Sequence, residues 1–426
     1  AVLCREWNWT FGSAHTVTRR LKVFNNTHLA GDIAVGWQLH VGGAKVAGEE
    51  KMVSLPAGGA QELSVQFTVP ATTSRTEGEF ILTCARDGNE VFREVKPVAV
   101  LGPSTAPKPG LPREAVAVLD PQGAVRARLG AMGIAFTEVD SPAAIGPEAT
   151  LIIVGRDALS PREATDPVWV ALASRGARVL VLDQQNPLRY LAVPADCTPT
   201  DFVGRVAFAE NLDHPAFAGL GQQDFFTWSG DHVVYRNAYR KATRGAVSLV
   251  QCAEQLGCSA LLECPVEDGL LVLCQLVVGE KLDGDPVAQR LFDNLVSYCA
   301  AYAPVRRSTA VVMSPDTPAY RMLAGSGLQF DEAPSVLAAM ADGKHDVIVF
   351  DATPQSLDEL AGSAAAVRSF AEKGGWLMAW GLTPEGLGSF NRLVGVEHMI
   401  RPFELERVTL PAVRDPLLLG RREASP

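Results

Sequence analysis

The spacing of apolar positions divides the chain into two regimes. Over residues 1–101 apolar side chains recur at every second position. Val17, Leu21 and Val23 alternate with polar neighbours, with Arg19 in phase with them; Ile33, Val35, Trp37 and Leu39 follow, and Gly42-Gly43 closes a turn before Lys45-Val46. Leu63, Val65, Phe67 and Val69 repeat the pattern, as do Phe80, Leu82 and Cys84, and Asp87-Gly88-Asn89 turns the chain into a last run over Val91–Val100. A period of two places successive side chains on opposite faces of a strand. About seven such strands with turn-rich joints predict a β-sandwich of immunoglobulin type.

From Glu114 onward the period changes and a βαβαβ pattern begins, and it occurs twice, over Glu114–Gln184 and again over Ser308–Gly381. In the first copy Ala115–Leu119 ends at Asp120-Pro121, a helical spacing runs through Val125, Leu129 and Met132, and Gly133 precedes a strand through Phe136. In the second copy Ala310–Met313 ends at Ser314-Pro315, and Leu323, Gly327 and Phe330 stand where Leu129, Gly133 and Phe136 stood, at one constant offset. The runs Ala149–Val154 and Gly176–Leu182 are answered by Lys344–Val349 and Gly374–Trp380.

Between the two regimes lies Gly102–Pro112, whose four prolines predict a semi-rigid spacer. After the first repeat the chain leaves the pattern. Phe217–Tyr239 is rich in aromatic and polar residues, Ser259–Cys264 and Leu270–Val278 read as a hairpin turning at Val266–Gly269, and Pro286–Tyr302 reads as a helix with Ala288, Leu291, Leu295 and Tyr298 on one face. The expected organisation is a sandwich over 1–101, a linker over 102–112, an α/β layer with aromatic insert and hairpin over 113–303, a second, smaller α/β layer over 304–402, and over 403–426 the start of a further element or a truncated tail. Ala1 is not Met and opens within a structured segment, so the chain reads as a piece of a longer protein or a processed product.

Composition narrows the function classes. A 47% hydrophobic content is enough to fill several cores. The expectation is a soluble protein, since no apolar run reaches the ~18–20 residues of a membrane helix and no signal-peptide pattern opens the chain. A formal net charge of −10 argues against a nucleic-acid or anionic-membrane partner. The eight cysteines form no CxxC pair and are expected to be buried free thiols, and the seven histidines form no HxH or HExxH pattern, so no metal site is expected. Neither repeat has phosphate-binding glycines or a nucleophile elbow at its strand ends, so no nucleotide cofactor is expected. Asp183-Gln184-Gln185 follows the third strand of the first copy and offers no nucleophile.

The remaining candidate chemistry lies in the aromatic insert. Asp224, Trp228, Asp231 and His232 can line a polar pocket with Glu263 of the neighbouring strand, and a pair of carboxylates ~5–10 Å apart suits glycoside hydrolysis. Catalysis, ligand contact through Trp228, Asp231 and His232, and a buried structural hydrogen-bond network all remain open readings. Trp7 and Trp9 offer either a sugar-stacking platform or packing, and Asn8-Trp9-Thr10 and Asn25-Asn26-Thr27 match the glycosylation sequon.

The order of sandwich, proline linker and α/β layer carries a resemblance. So do the runs Leu212-Asp-His-Pro-Ala-Phe217, Trp228-Ser-Gly-Asp-His232, Ala260-Leu-Leu-Glu263, Leu273-Cys-Gln275 and Leu291-Phe-Asp-Asn-Leu-Val-Ser-Tyr298. Together they resemble the C-terminal half of large bacterial family 2 glycoside hydrolases, which are β-galactosidase-like and β-glucuronidase-like. The α/β layers resemble class I glutamine-amidotransferase-like (flavodoxin-like) domains. The resemblance implies a non-catalytic accessory region that positions a catalytic (β/α)₈ barrel, an oligomer interface or the substrate, with carbohydrate or the catalytic domain of the same protein as partner and a homo-oligomer as an option. No eight-fold βα pattern is present to inherit the barrel's glutamates, and the amidotransferase cysteine is absent from its turn. The alternatives are a self-standing carbohydrate-active hydrolase using the carboxylates of the insert, and a protein-interaction scaffold.

Overall fold

The computed structural model describes residues 1–304, 307–326 and 328–401. The expectation for 403–426 and the repeat position Gly327 lie outside the described residues. The chain is a multidomain mixture of β-sheets and α/β layers, in two compact units that divide after Pro304.

The first unit opens with eight strands: β1 (Val2–Cys4), β2 (Thr10–Gly12), β3 (Thr16–Phe24), β4 (Gly31–Val41), β5 (Ala44–Leu55), β6 (Ala60–Thr68), β7 (Thr76–Arg86) and β8 (Asn89–Leu101). They form a three-stranded sheet, β1-β3-β6, and a five-stranded sheet, β2-β8-β7-β4-β5. Leu21, Val23, Val65 and Phe67 of the first share one core with Leu39, Phe80, Leu82 and Cys84 of the second. The alternation seen in the sequence is therefore the inward face of each sheet. Arg19 takes an inward position of β3 and is buried, with its guanidinium 5.0 Å and 4.9 Å from the Trp9 and Phe11 ring centroids. Cation–π contact with two rings makes that charge tolerable in the core. Strands β1 and β2 are three residues each, too short for a period to reveal.

The α/β part follows. Its elements are β9 (Val116–Leu119), α1 (Ala124–Met132), β10 (Thr137–Glu138), β11 (Leu151–Val154), α2 (Val168–Ser174) and β12 (Arg178–Val181). Short strands β13 (Val203–Gly204), β14 (Ala207–Ala209), β15 (Tyr235–Arg236) and β16 (Tyr239–Arg240) lie in and around the insert. Then come β17 (Val247–Cys252), β18 (Cys258–Val266), β19 (Gly269–Cys274), α3 (Val278–Lys281) and α4 (Pro286–Ala301).

Sheet order is β10-β9-β11-β12-β19-β18-β17-β14, parallel from β10 through β19 and antiparallel beyond. Val116 and Val118 of β9 face one core while Ala117 and Leu119 face the other, as a sheet covered on both faces requires. Helix α1 ends at Gly133, whose left-handed φ of 67° closes the last turn without a Cβ clash.

The hairpin is present as β18 and β19, and its second strand adds to the parallel array beside β12. That strand ends at Cys274, short of the expected Val278, and Val278–Lys281 is instead α3. The run is apolar apart from Gln275, and a stretch with so few polar positions has no period that separates buried strand from buried helix. All eight cysteines are buried free thiols.

The second unit carries the repeat: β20 (Thr309–Val312), α5 (Pro318–Gly325), β21 (Asp331–Glu332), α6 (Val336–Ala341), β22 (Val347–Asp351), α7 (Pro354–Gly362), α8 (Ala364–Glu372), β23 (Trp376–Trp380) and α9 (Leu387–Val394). Its parallel sheet runs β21-β20-β22-β23, the order of β10-β9-β11-β12. Ile348 and Phe350 face the larger core, with Leu357 and Leu360 of α7. Thr317, Ser335 and Thr353 each cap a helix through a side-chain oxygen. Among the described residues of the chain, no helix is long and apolar enough to cross a membrane.

Candidate functional site

The four candidate residues of the insert and Glu263 of β18 are held in separate sets of contacts. Asp224 lies in a 3-10 turn, Gln222–Phe225, and is 1% exposed. Its carboxylate accepts hydrogen bonds from Thr10 Oγ1 (2.6 Å) and the Gly221 amide (2.7 Å) and pairs with the Arg75 guanidinium. Thr10 belongs to β2 and Arg75 immediately precedes β7, so Asp224 ties the sandwich to the α/β part. Trp228 is buried against it, donating Nε1–H to the Asp224 carbonyl at 2.7 Å.

His232 and Thr227 make a second tie. His232 Nε2 accepts the Trp7 amide at 3.1 Å, the two rings stack at 5.4 Å, and Thr227 Oγ1 donates to the Trp7 carbonyl at 2.8 Å. Burial, with the nearby Arg205 and Lys281 charges, holds the imidazole below its usual pKa, which suits its role as acceptor. Trp7 and Trp9 line a groove of about 250 Å³ along this seam, together with Arg75 and Phe226.

Asp231 and Glu263 have no partner in common. Asp231 accepts from Lys281 Nζ (2.7 Å), Arg236 Nη2 (2.8 Å) and the Val233 amide (3.0 Å). Burial works to raise this carboxyl, but the hydrogen bonds from Lys281 and the Val233 amide and the Lys281 and Arg236 charges lower it to about 2. Glu263, on β18, accepts from Tyr298 Oη at 2.5 Å and stands 3.8 Å from His214 Nε2. Burial and this carboxylate push the Tyr298 phenol up, and burial holds His214 below the usual imidazole value.

A second polar site lies where α/β sheets place ligands, outside the carboxyl ends of the parallel strands. A cleft of about 340 Å³ opens there. Strand β11 leads to Arg156 and Asp157, β12 leads to Asp183, Gln184 and Gln185, and Arg236, Asn237 and Glu280 close it from the insert and α3. Arg156 reaches Asp157 (3.2 Å), Asp183 (3.8 Å) and Glu280 (3.4 Å), while Arg236 joins Glu280 (3.2 Å) to Asp231 (2.8 Å). The predicted residue Asp231 thus stands at the rim of a site whose centre is elsewhere.

Asp183 is 5% exposed and accepts the Gly279 (2.6 Å) and Glu280 (3.2 Å) amides at the start of α3. Burial pushes its carboxyl up to about 7, against the Gly279 hydrogen bond and the Arg156 charge. A carboxyl raised above its unfolded value favours the fold while protonated, and that contribution is lost as pH climbs from about 4 to about 7. We expect the stability margin of the wild type over Asp183→Asn to shrink across that range, by ~1–3 kcal/mol, and to stay flat above it. Denaturant midpoints at pH 4.5 and 7.5 measure this, and equal margins at both would show that Asp183 titrates normally.

Asp183-Gln184-Gln185 offers no nucleophile, yet it is polar and follows a strand. The signal in the sequence is a polar run directly after the apolar run Val179–Leu182, repeated by Arg156-Asp157 after Val154-Gly155. Among the described residues, no group of three or more His, Cys, Asp and Glu side chains is placed to hold a metal ion.

Neither a protein-family model nor a curated protein matches the chain. Solved structures match about a quarter of it. The β-glucosidase from Listeria innocua in complex with gluconolactone is 12% identical with a TM-score of 0.19, and the match covers 24% of this chain and 16% of that one. Spo0M, a sporulation control protein from Bacillus subtilis, is 13% identical with a TM-score of 0.20, covering 24% and 48%. The CARDB domain of the PF1109 protein from Pyrococcus furiosus is 12% identical with a TM-score of 0.19, covering 24% and 90%. This chain therefore spans a small part of the length of the β-glucosidase.

Proposed function

We propose that this chain is a non-catalytic, architectural region of a carbohydrate-active protein, of the kind found C-terminal to the barrel in family 2 glycoside hydrolases. In this reading residues 1–101 are an immunoglobulin-like sandwich, 113–303 an amidotransferase-like layer and 304–402 its smaller repeat. The observation that carries it is the use made of the insert. Asp224, Trp228, His232 and Thr227 bind the sandwich or one another, and Asp231 and Glu263 are each held by separate partners. Hydrolysis by a carboxylate pair needs two carboxyl groups facing one bond. Groups committed to separate structural contacts are poor candidates for that work and good ones for holding two modules rigidly together.

The test has two parts. The purified 426-residue chain is expected to show no turnover of aryl glycosides above that of its Asp231→Ala and Glu263→Ala variants. Arg75→Ala is expected to speed proteolytic cleavage within Gly102–Pro112 several-fold in a chain that still unfolds cooperatively, because the joint around the linker loosens. Turnover that disappears in a folded Asp231→Ala or Glu263→Ala variant would instead establish a self-standing hydrolase.

A further inference from the structure

We propose that the cleft at the carboxyl ends of β11 and β12 binds one neutral, polyhydroxylated ring of monosaccharide size. The first reason is charge. Around the cleft three cations, Arg156, Arg236 and Lys281, answer four carboxylates, Asp157, Asp183, Asp231 and Glu280, and every one of these cations is already in contact with a carboxylate. With burial raising the Asp183 carboxyl, the two signs come close to cancelling at neutral pH. An anionic ligand finds no unpaired cation here, and the one carboxyl in excess, Asp183, is buried and engaged by the Gly279 and Glu280 amides.

The second reason is the chemistry of the paired groups. Pairing satisfies charge but leaves hydrogen-bonding capacity: a guanidinium has five N–H donors, an ionised carboxylate about four acceptor sites, and a side-chain amide both kinds. Arg156, Asp157, Gln185, Arg236, Asn237 and Glu280 therefore present donors and acceptors side by side from planar groups. Vicinal hydroxyls, each donor and acceptor at once, match such a wall without adding charge.

The third reason is rigidity. Gln184 forms the floor and is 2% exposed, with its side chain fully engaged: Oε1 accepts the Leu159 amide (3.0 Å), and Nε2 donates to the Gly155 (2.6 Å) and Leu182 (2.9 Å) carbonyls. Its carbonyl accepts from Asn237 Nδ2 (3.0 Å) and Gln275 Nε2 (3.2 Å). Asp157 and Asn237, both on the wall, are held at left-handed φ values of 48° and 50°. Asp157 is fixed by its amide to the Asp183 carbonyl (3.0 Å) and by its carboxylate to the Gln185 amide (2.7 Å). A wall ordered before the ligand arrives loses little entropy on binding it. The volume, about 340 Å³, sits at the small end of the ~300–1,000 Å³ range of small-molecule sites, which fits a single ring better than a chain of rings.

The inference shares its ligand class with the reading above and otherwise stands on the cleft alone. Absence of turnover leaves it intact, and absence of binding leaves the architectural reading intact. The experiment is calorimetric and ligand-observed NMR titration of the full chain with glucose, galactose and mannose, and in parallel with inorganic phosphate and glutamate. Variants are Gln185→Ala and Arg236→Ala in the cleft and Trp7→Ala at the seam groove, each checked for an intact unfolding transition. We expect saturable millimolar binding of at least one hexose, weakened about tenfold or more by Gln185→Ala and Arg236→Ala and unchanged by Trp7→Ala. Hexose binding that disappears only with Trp7→Ala would move the site to the seam and overturn the proposal. So would saturable phosphate or glutamate binding that depends on Arg236, or a folded wild-type chain that binds none of the three hexoses at tens of millimolar.

Discussion

Asp224→Ala is expected to destabilise the first unit by about 3 kcal/mol, among the largest effects of any single change in the insert. The carboxylate is buried and takes three hydrogen bonds, two of them from the sandwich. Its removal leaves the Gly221 amide and the Thr10 hydroxyl without their acceptor and strips Arg75 of its buried partner. Arg75 keeps Glu77 at 2.6 Å and is one-fifth exposed, which places the cost at the lower end of the ~3–5 kcal/mol for a broken buried pair. Asp224→Asn keeps one acceptor oxygen and should recover part of the loss. A double-mutant cycle with Arg75→Ala, read from urea unfolding, isolates the pair. A coupling energy near zero would show that the sandwich and the α/β part are held by other contacts, and the proposed role of the insert would fall with it.

Lys281→Met is the second large effect, expected at about 2–4 kcal/mol. Lys281 is 9% exposed, and its ammonium spends its three protons on the Ser229 carbonyl (2.6 Å), the Asp231 carboxylate (2.7 Å) and the Val233 carbonyl (2.9 Å). Met fills the volume of the aliphatic stem but donates nothing, so two carbonyls lose their donor within a largely buried site. Asp231 keeps Arg236, so the damage falls on the Ser229–Val233 loop. The same pair predicts a pH signature. A carboxyl lowered to about 2 contributes stability above its unfolded value near 4, and that contribution is lost as pH falls from about 4 toward 2. The acid limb of the wild-type unfolding profile should therefore be steeper than that of Asp231→Asn. A Lys281→Met protein as stable as the wild type, with an unchanged acid limb, would remove Lys281 from the support of the cleft wall.

These effects could not have been placed from sequence, and the reason is one of range. Period-two alternation marks the inward faces of β3, β4, β6 and β7 because it depends on neighbours one and two positions away, which the chain itself displays. The linker prolines, the duplicated βαβαβ order, the hairpin over β18 and β19 and the stripe of α4 are legible for the same reason: each is written in local spacing or in self-similarity. Where nearly every position is apolar it fails, as in the run Leu270–Val278, which only Gln275 interrupts and which divides into β19 and α3.

The insert has no period at all. Closeness in sequence suggests one pocket for its polar residues, yet Asp224 bonds to Thr10 across 214 positions and His232 to Trp7 across 225. The cleft is the converse case. Arg156, Asp183, Arg236 and Glu280 stand on four separate segments and look unremarkable one at a time; the parallel sheet brings them together by ending its strands on one edge. By itself the sequence determined which residues face inward, how many layers there are and where they repeat. Tertiary structure alone decided which buried charge meets which, because pairing depends on the folded path between segments and that path leaves no trace in local spacing.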